Sequence, residues 1–279
     1  MTGTSFSLLR AGAVVSLCAV PVAPLAATLE PAAITAWNAY VSATEMRIGR
    51  ELGSARGFLV SDFGSGAAET RTAVMARQIA VSEMHTTDVA GTRLEGIDGR
   101  ITHWRGSVFL PGVTLDGLLR RLQHPSERGP HQEDVLALRV LDRGPDRLKL
   151  FIRMTRSKIV TVTYDSEHDV SYRRHGPLRA SSRSIAMRIA EVEDAGTPAE
   201  STRPPGQDRG FLWRMNSYWR YEQVPGGVIV ELESVTLSRS IPLGLGTVVE
   251  PIIDRIARES MTRTLDNLRH THTSPSTRL

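Results

Sequence analysis

Residues 213–239 read WRMNSYWRYEQVPGGVIVELESVTLSR. Two stretches with alternating side-chain character flank Pro225-Gly226-Gly227, which is the pattern of a β-hairpin. A turn at Pro225-Gly226 pairs Glu222 with Ile229, Arg220 with Glu231 and Tyr218 with Glu233. One face then carries Phe211, Trp213, Met215, Ser217, Trp219 and Tyr221 against Val228, Val230, Leu232 and Ser234. The other carries Arg214, Asn216, Tyr218 and Arg220 against Glu231 and Glu233. The aromatic face is expected to point inward. The charged face is expected outside, where ion pairs in water add little each. The competing reading makes the charged ladder a buried polar site.

Downstream of the hairpin, Leu245, Val248, Val249, Ile252, Ile253, Ile256, Ala257, Met261, Leu265 and Leu268 form one apolar stripe at helical spacing. Asp254, Arg255, Arg258, Glu259, Arg263 and Asp266 occupy the other face, and the polar tail from Thr271 is expected to fray. Upstream, strands are predicted over residues 135–141, 148–155, 159–172 and 179–192. Gly144-Pro145 and His175-Gly176-Pro177 mark turns, and the short links imply antiparallel neighbours. Residues 101–110 read as a further strand, followed by a short helix capped by Thr114. Nearer the N-terminus, Pro31 opens a helix that presents Ile34, Trp37, Tyr40, Val41, Ile48 and Leu52 and closes at Gly53. Residues 57–60 read as a short strand, 63–69 as a loop and 77–86 as a strand.

The chain has 279 residues, of which 41% are apolar and 23% charged. This is ordinary globular composition and excludes collagen-like, coiled-coil and wholly disordered classes. The formal charge is +4, almost all from arginine, and the basic residues are dispersed among acids. A nucleic-acid partner is not expected, because binding one requires basic residues clustered on one face. Arg10, the apolar run from Ala11 to Val22 and the small-residue exit Pro24-Leu25-Ala26-Ala27 read as a secretory signal covering residues 1–27. The sole cysteine, Cys18, lies in it. Cleavage would leave a chain with no thiol and no stable membrane span, in the periplasm or secreted. The remaining chain divides into an N-terminal helix and strand extension (28–97), a main domain (98–270) and a flexible tail (271–279).

A long amphipathic helix must bury its stripe, and the preceding antiparallel sheet is the available partner. From Trp213 through Arg239 into Ile241-Pro242 and the final helix, the chain resembles the START-like, or Bet v 1-like, superfamily. The resemblance covers about residues 98–270. It implies an α+β helix-grip fold, in which a curved seven-stranded antiparallel sheet wraps a long C-terminal helix around an apolar cavity. The N-terminal helix is extra to it. No catalytic motif comes with the resemblance.

A turn at His175-Gly176 would pair Tyr172 with Arg179, His168 with Arg183 and Tyr164 with Met187. That register places Tyr164, His168, Tyr172, Arg183 and Met187 on one face, apolar at one end and polar at the other, as a pocket needs. The expected ligand-binding set is therefore Trp104, Tyr164, His168, Tyr172, Arg183, Met187, Trp213, Met215, Ser217 and Trp219. Arg183 beside His168 suits an anion clamp, since it would lower the histidine pKa and spoil a general base. The zinc-protease helix, the phosphate-binding loop and the nucleophile elbow are all missing, so no metal, cofactor or catalytic set is assigned. The expected partner is a hydrophobic or amphipathic small molecule. Two alternatives stand: an enzyme of the same fold, cyclase- or hydrolase-like, working through His168, Tyr164 or Tyr172; and an envelope interaction module that docks through an exposed Trp37 and Tyr40 or through the charged ladder.

Overall fold

A computed structural model describes residues 28–87, 99–127, 134–157, 161–204, 207–239 and 246–273. The predicted signal and its cleavage site lie outside the described residues. Helix α1 spans Pro31–Leu52, with Pro31 in its first turn and Gly53 at its end. A single 3-10 turn follows at Val60–Phe63, then α2 at Ala67–Met75, β1 at Ala80–Glu83, β2 at Arg100–Pro111 and α3 at Leu115–Gln123. Six more substantial strands come next: β3 (Val135–Arg143), β4 (Arg147–Ser157), β5 (Thr161–Arg174), β6 (Arg179–Glu193), β8 (Arg214–Val224) and β9 (Gly227–Ser238). The two-residue β7 (Ser201–Thr202) pairs with the edge of β6, and α4 (Gly246–Thr273) closes the chain.

All strand pairs are antiparallel, in the order β1-β2-β9-β8-β6-β5-β4-β3. The seven strands β2 to β6, β8 and β9 form the predicted sheet, and β1 lengthens it at one edge. The fold is helix-grip, with α4 lying across one face of the sheet. Met261 and Leu265 of α4 pack on Trp104, Val108, Leu110, Val230 and Leu232. Further along, Arg156 of β4 bonds to Ser260 and pairs with Asp134, which also faces Arg263. Gly106 permits this packing, because a Cβ there would meet Leu265 at 2.5 Å and Met261 at 2.8 Å.

The opposite face is covered by the N-terminal extension. Trp37 and Tyr40 of α1 pack on Trp213, Tyr218, Val235 and Leu237. Phe58, Leu59 and Val74 pack on Phe109 and Ile229. Both faces of the central strands therefore carry helical cover, and a docking surface built on exposed Trp37 and Tyr40 is ruled out. Each is only 5% exposed.

Local differences from the sequence reading have physical causes. Residues 57–60 are not a strand, because the Asp62 carboxylate accepts the backbone N–H of Phe58 and Leu59 and folds the segment into a turn. The expected loop at 63–69 instead enters α2, after Gly66 at φ +80°. The strand expected over 77–86 shortens to Ala80–Glu83, and Arg77 before it takes a left-handed φ of +67°. The helix continues through Thr271–Thr273, where fraying was expected.

The hairpin at 213–239 has the predicted register, with Glu222 opposite Ile229, Arg220 opposite Glu231 and Tyr218 opposite Glu233. The β5–β6 hairpin does not. Its observed register pairs Tyr172 with Ser182 and His168 with Ala186. The connection is wider than the tight turn assumed, and Arg174 pairs with Ala180. The slip of three residues is odd, and an odd slip turns a whole strand over. Arg183 therefore leaves the His168 face. A bulge opposite Glu167 and His168 leaves Met187 unpaired, and beyond it Tyr164 pairs with Glu191.

Candidate functional site

The concave face, under α4, is built from alternate residues of each strand. Pairing sets Trp104 beside Ser234, Ser234 beside Ser217 and Ser217 beside Ser184, so an indole and three hydroxyls cross four strands in one row. Next to the row, His168 is within 3.0 Å of the Ser166 hydroxyl and 3.4 Å of the Ser184 hydroxyl. Trp219 and Met215 flank Ser217 on the same strand. Trp219 stacks with Tyr221 at a ring separation of 6.5 Å. Trp219, Met215, Ser184 and Ser234 are half-buried, so this face keeps accessible surface.

Two buried polar groups on this face lack hydrogen-bond partners among the described residues: the Trp104 Nε1 and the Tyr164 hydroxyl. Both residues are 5% exposed. A buried donor without a partner carries a desolvation cost of about 1–3 kcal/mol, and native interiors rarely leave one. Tyr172 differs, because its hydroxyl donates to the Leu122 carbonyl and ties α3 to the sheet. Between α3 and the turns below it lies a recess of about 370 Å³, with Leu119, Tyr172 and Ala180 in its wall and Asp116, Arg120 and Arg174 also lining it.

Seven of the ten predicted ligand residues share the concave face: Trp104, Tyr164, His168, Tyr172, Met215, Ser217 and Trp219. Three do not. Trp213 precedes β8 and packs against Trp37 on the α1 side, its Nε1 donating to Asp208 at 2.8 Å. Arg183 pairs with Tyr218 across the sheet and bonds Glu45 of α1 at 2.7–2.8 Å. Met187 is the bulged residue and is 65% exposed. Ser184 and Ser234 extend the row beyond the predicted set. The sequence signal for Ser234 was its place on the inward alternation of β9.

Burial lowers the His168 pKa to about 4, so the ring is neutral. Its hydrogen bonds go to serine hydroxyls and not to a carboxylate that would fix a tautomer for base catalysis. Burial pushes the Tyr164 hydroxyl well above the usual phenol range, and Glu191 adds to the effect. Burial also raises Tyr172, to about 12. Among the described residues, the groups at the centre of the concave face are thus neutral.

The convex face of the same strands is charged and buried, so the expectation of a solvated ladder is corrected. Arg220 is 2% exposed, donates to the Phe58 carbonyl at 2.8 Å and pairs with Glu51 at 2.5 Å. Arg47 bridges Glu51 and Glu233. His103 joins Tyr40 to Glu233, with both contacts at 2.8 Å, and the Thr86 amide donates to the Tyr40 hydroxyl. Burial raises the Glu231 pKa, and Ser107 and the Ser61 amide donate to its carboxylate. Burial would raise Glu233 too, but the His103 hydrogen bond and Arg47 outweigh it and hold that carboxyl below its usual range. The Tyr40–His103–Glu233 series resembles a catalytic relay, but all three residues are buried beneath α1. It fastens the N-terminal helix to the sheet.

No protein-family model and no curated protein sequence matches this chain. Among solved structures, it is similar to a STAR-related lipid transfer protein from Xanthomonas axonopodis (18% identity, 69% of this chain and 99% of that one, TM-score 0.46). It is also similar to the human StAR-related lipid transfer protein 5 (16% identity, 86% and 97%, TM-score 0.44). A third similar structure is the Zhui aromatase/cyclase from Streptomyces sp. R1128 (10% identity, 62% and 94%, TM-score 0.39). By its own strand order and helix placement, the fold is helix-grip. Among the described residues, no helix is long and apolar enough to cross a membrane.

Proposed function

We propose that this protein is an exported binding protein for a hydrophobic or amphipathic small molecule held between the concave sheet face and α4. One observation carries the reading: the buried Trp104 Nε1 has no partner on a face of aromatics and small hydroxyls that is half-accessible. A bound molecule would supply the missing acceptor, while burial of its apolar surface would supply affinity at about 25 cal/mol per Å² before ordering costs. The lipid-transfer proteins among the similar structures agree with such a role. Residues 1–27 would direct the chain to the periplasm or beyond, leaving 28–97 as a buttress for the binding domain at 98–270.

Native mass spectrometry of gently purified protein tests the reading. The expected result is a small-molecule adduct that organic extraction removes and that Ser217→Trp, which fills the middle of the row, prevents from forming. A single unadducted mass, unchanged after incubation with lipid extract, overturns it.

A further inference from the structure

The charges on the concave face point to a class of ligand. Ser234, Ser217 and Ser184 follow Trp104 across consecutive strands. At a strand spacing of about 4.8 Å, the row runs roughly 14 Å. Among the described residues, neither the Ser217 nor the Ser234 hydroxyl makes a hydrogen bond within the protein. The Ser184 contact to His168, at 3.4 Å, is long. The row therefore offers donors at several points along its length, and the buried Trp104 Nε1 heads it.

Charged side chains lie at the margins of this face and are engaged elsewhere. Arg100 pairs with Asp254, Arg156 with Asp134 and Glu191 with Arg209. Arg258 of α4 lies across the Trp104 ring but is exposed, and it donates to the Val81 carbonyl at the sheet edge. Arg183, the cation that the sequence reading assigned to the ligand, is on the other side. Among the described residues, the cations nearest the row are already engaged, so an anionic head group placed over its middle would lose hydration without a free cation to replace it, a cost that a neutral ester, ketone or hydroxyl does not meet.

We infer that the preferred occupant is an uncharged amphiphile whose polar part carries several oxygen atoms, rather than a fatty acid or other single-headed anion. This rests on the binding reading above and narrows it. Monolaurin and laurate share one acyl chain and differ in charge and in number of oxygens, so they are the probes. Isothermal titration at submicellar concentration should give at least tenfold tighter binding of monolaurin. Trp104→Phe keeps an aromatic ring but removes the donor, and should weaken monolaurin about fivefold or more. Ser217→Ala, a change too small to disturb folding, should weaken it severalfold. Laurate binding as tight as monolaurin, or monolaurin binding indifferent to both variants, overturns the inference while leaving the binding reading standing. Binding of neither probe, with no adduct on the purified protein, overturns both.

Discussion

Strands β2, β9 and β8 carry two faces that differ in kind. Under α1 the residues are charged and mutually bonded: Arg220 to Glu51, Arg47 to Glu51 and Glu233, His103 to Tyr40 and Glu233. Under α4 they are small hydroxyls and aromatics, neutral, half-accessible and in part without partners. Buried charges are tolerable only when each meets an opposite charge or a strong donor, so the convex face is specified by its own contacts. The concave face leaves hydrogen-bonding capacity unspent. The first arrangement builds a joint, whereas the second suits a molecule that comes and goes. Substitutions on the two faces should accordingly separate stability from binding.

The largest effect is expected at Arg220. Arg220→Ala removes a buried cation from beside Glu51 and from the Phe58 carbonyl, leaving Glu51 with Arg47 alone and the buried carbonyl without its donor. The expected loss is about 3–5 kcal/mol in urea unfolding, with ligand affinity of the folded fraction unchanged. A loss below about 1 kcal/mol would mean that the ladder is solvated after all, and the contrast between the faces would fail.

A pH experiment sharpens the concave side. His168 is neutral in the folded protein, its pKa lowered by burial to about 4 from an ordinary 6.5. Below pH 6.5 the unfolded chain takes up a proton that the folded chain refuses until near pH 4. Stability therefore falls as pH falls through that window, by about 3 kcal/mol in all. Urea unfolding at pH 7 and pH 4.5 should show a drop that is smaller by about 2 kcal/mol in His168→Gln. Equal drops in the two proteins would place His168 in water.

The architecture was legible in the sequence because its signals are local. Pro31 and Gly53 bracket α1, Thr114 accepts the Gly117 amide at the start of α3, and Pro225-Gly226 sets the β8–β9 register. The glycine takes φ +83°, which few other residues adopt readily. The site was half legible for the same reason. Where a two-residue turn dictated the pairing, Met215, Ser217 and Trp219 came out on the correct face. Where the turn was wider, at 175–178, a three-residue error moved Arg183 across the sheet. Nothing local announces the bulge at Met187 either. The burial of Arg220, Glu231 and Glu233 was beyond reach of strand alternation, because it depends on where α1 docks, more than 160 residues earlier in the chain.

Arg183 is where the smallest effect is expected, and where the register is tested most directly. Had the tight turn held, Arg183 would sit beside His168 as the clamp for an anionic head, and losing it would abolish binding. In the observed register its guanidinium meets Glu45 of α1, with half of the side chain in water. An exposed pair of this kind contributes about 0–1 kcal/mol, since solvent screens the attraction and ordering two long side chains offsets much of it. Arg183→Ala should therefore lower stability by less than about 1 kcal/mol and leave monolaurin affinity within twofold of the parent. The same substitution should leave laurate unaffected, because Arg183 lies on the opposite side of the sheet from the row. A severalfold loss of either ligand on removing Arg183 would return it to the concave face, and the pairing of β5 with β6 would have to be redrawn three residues over.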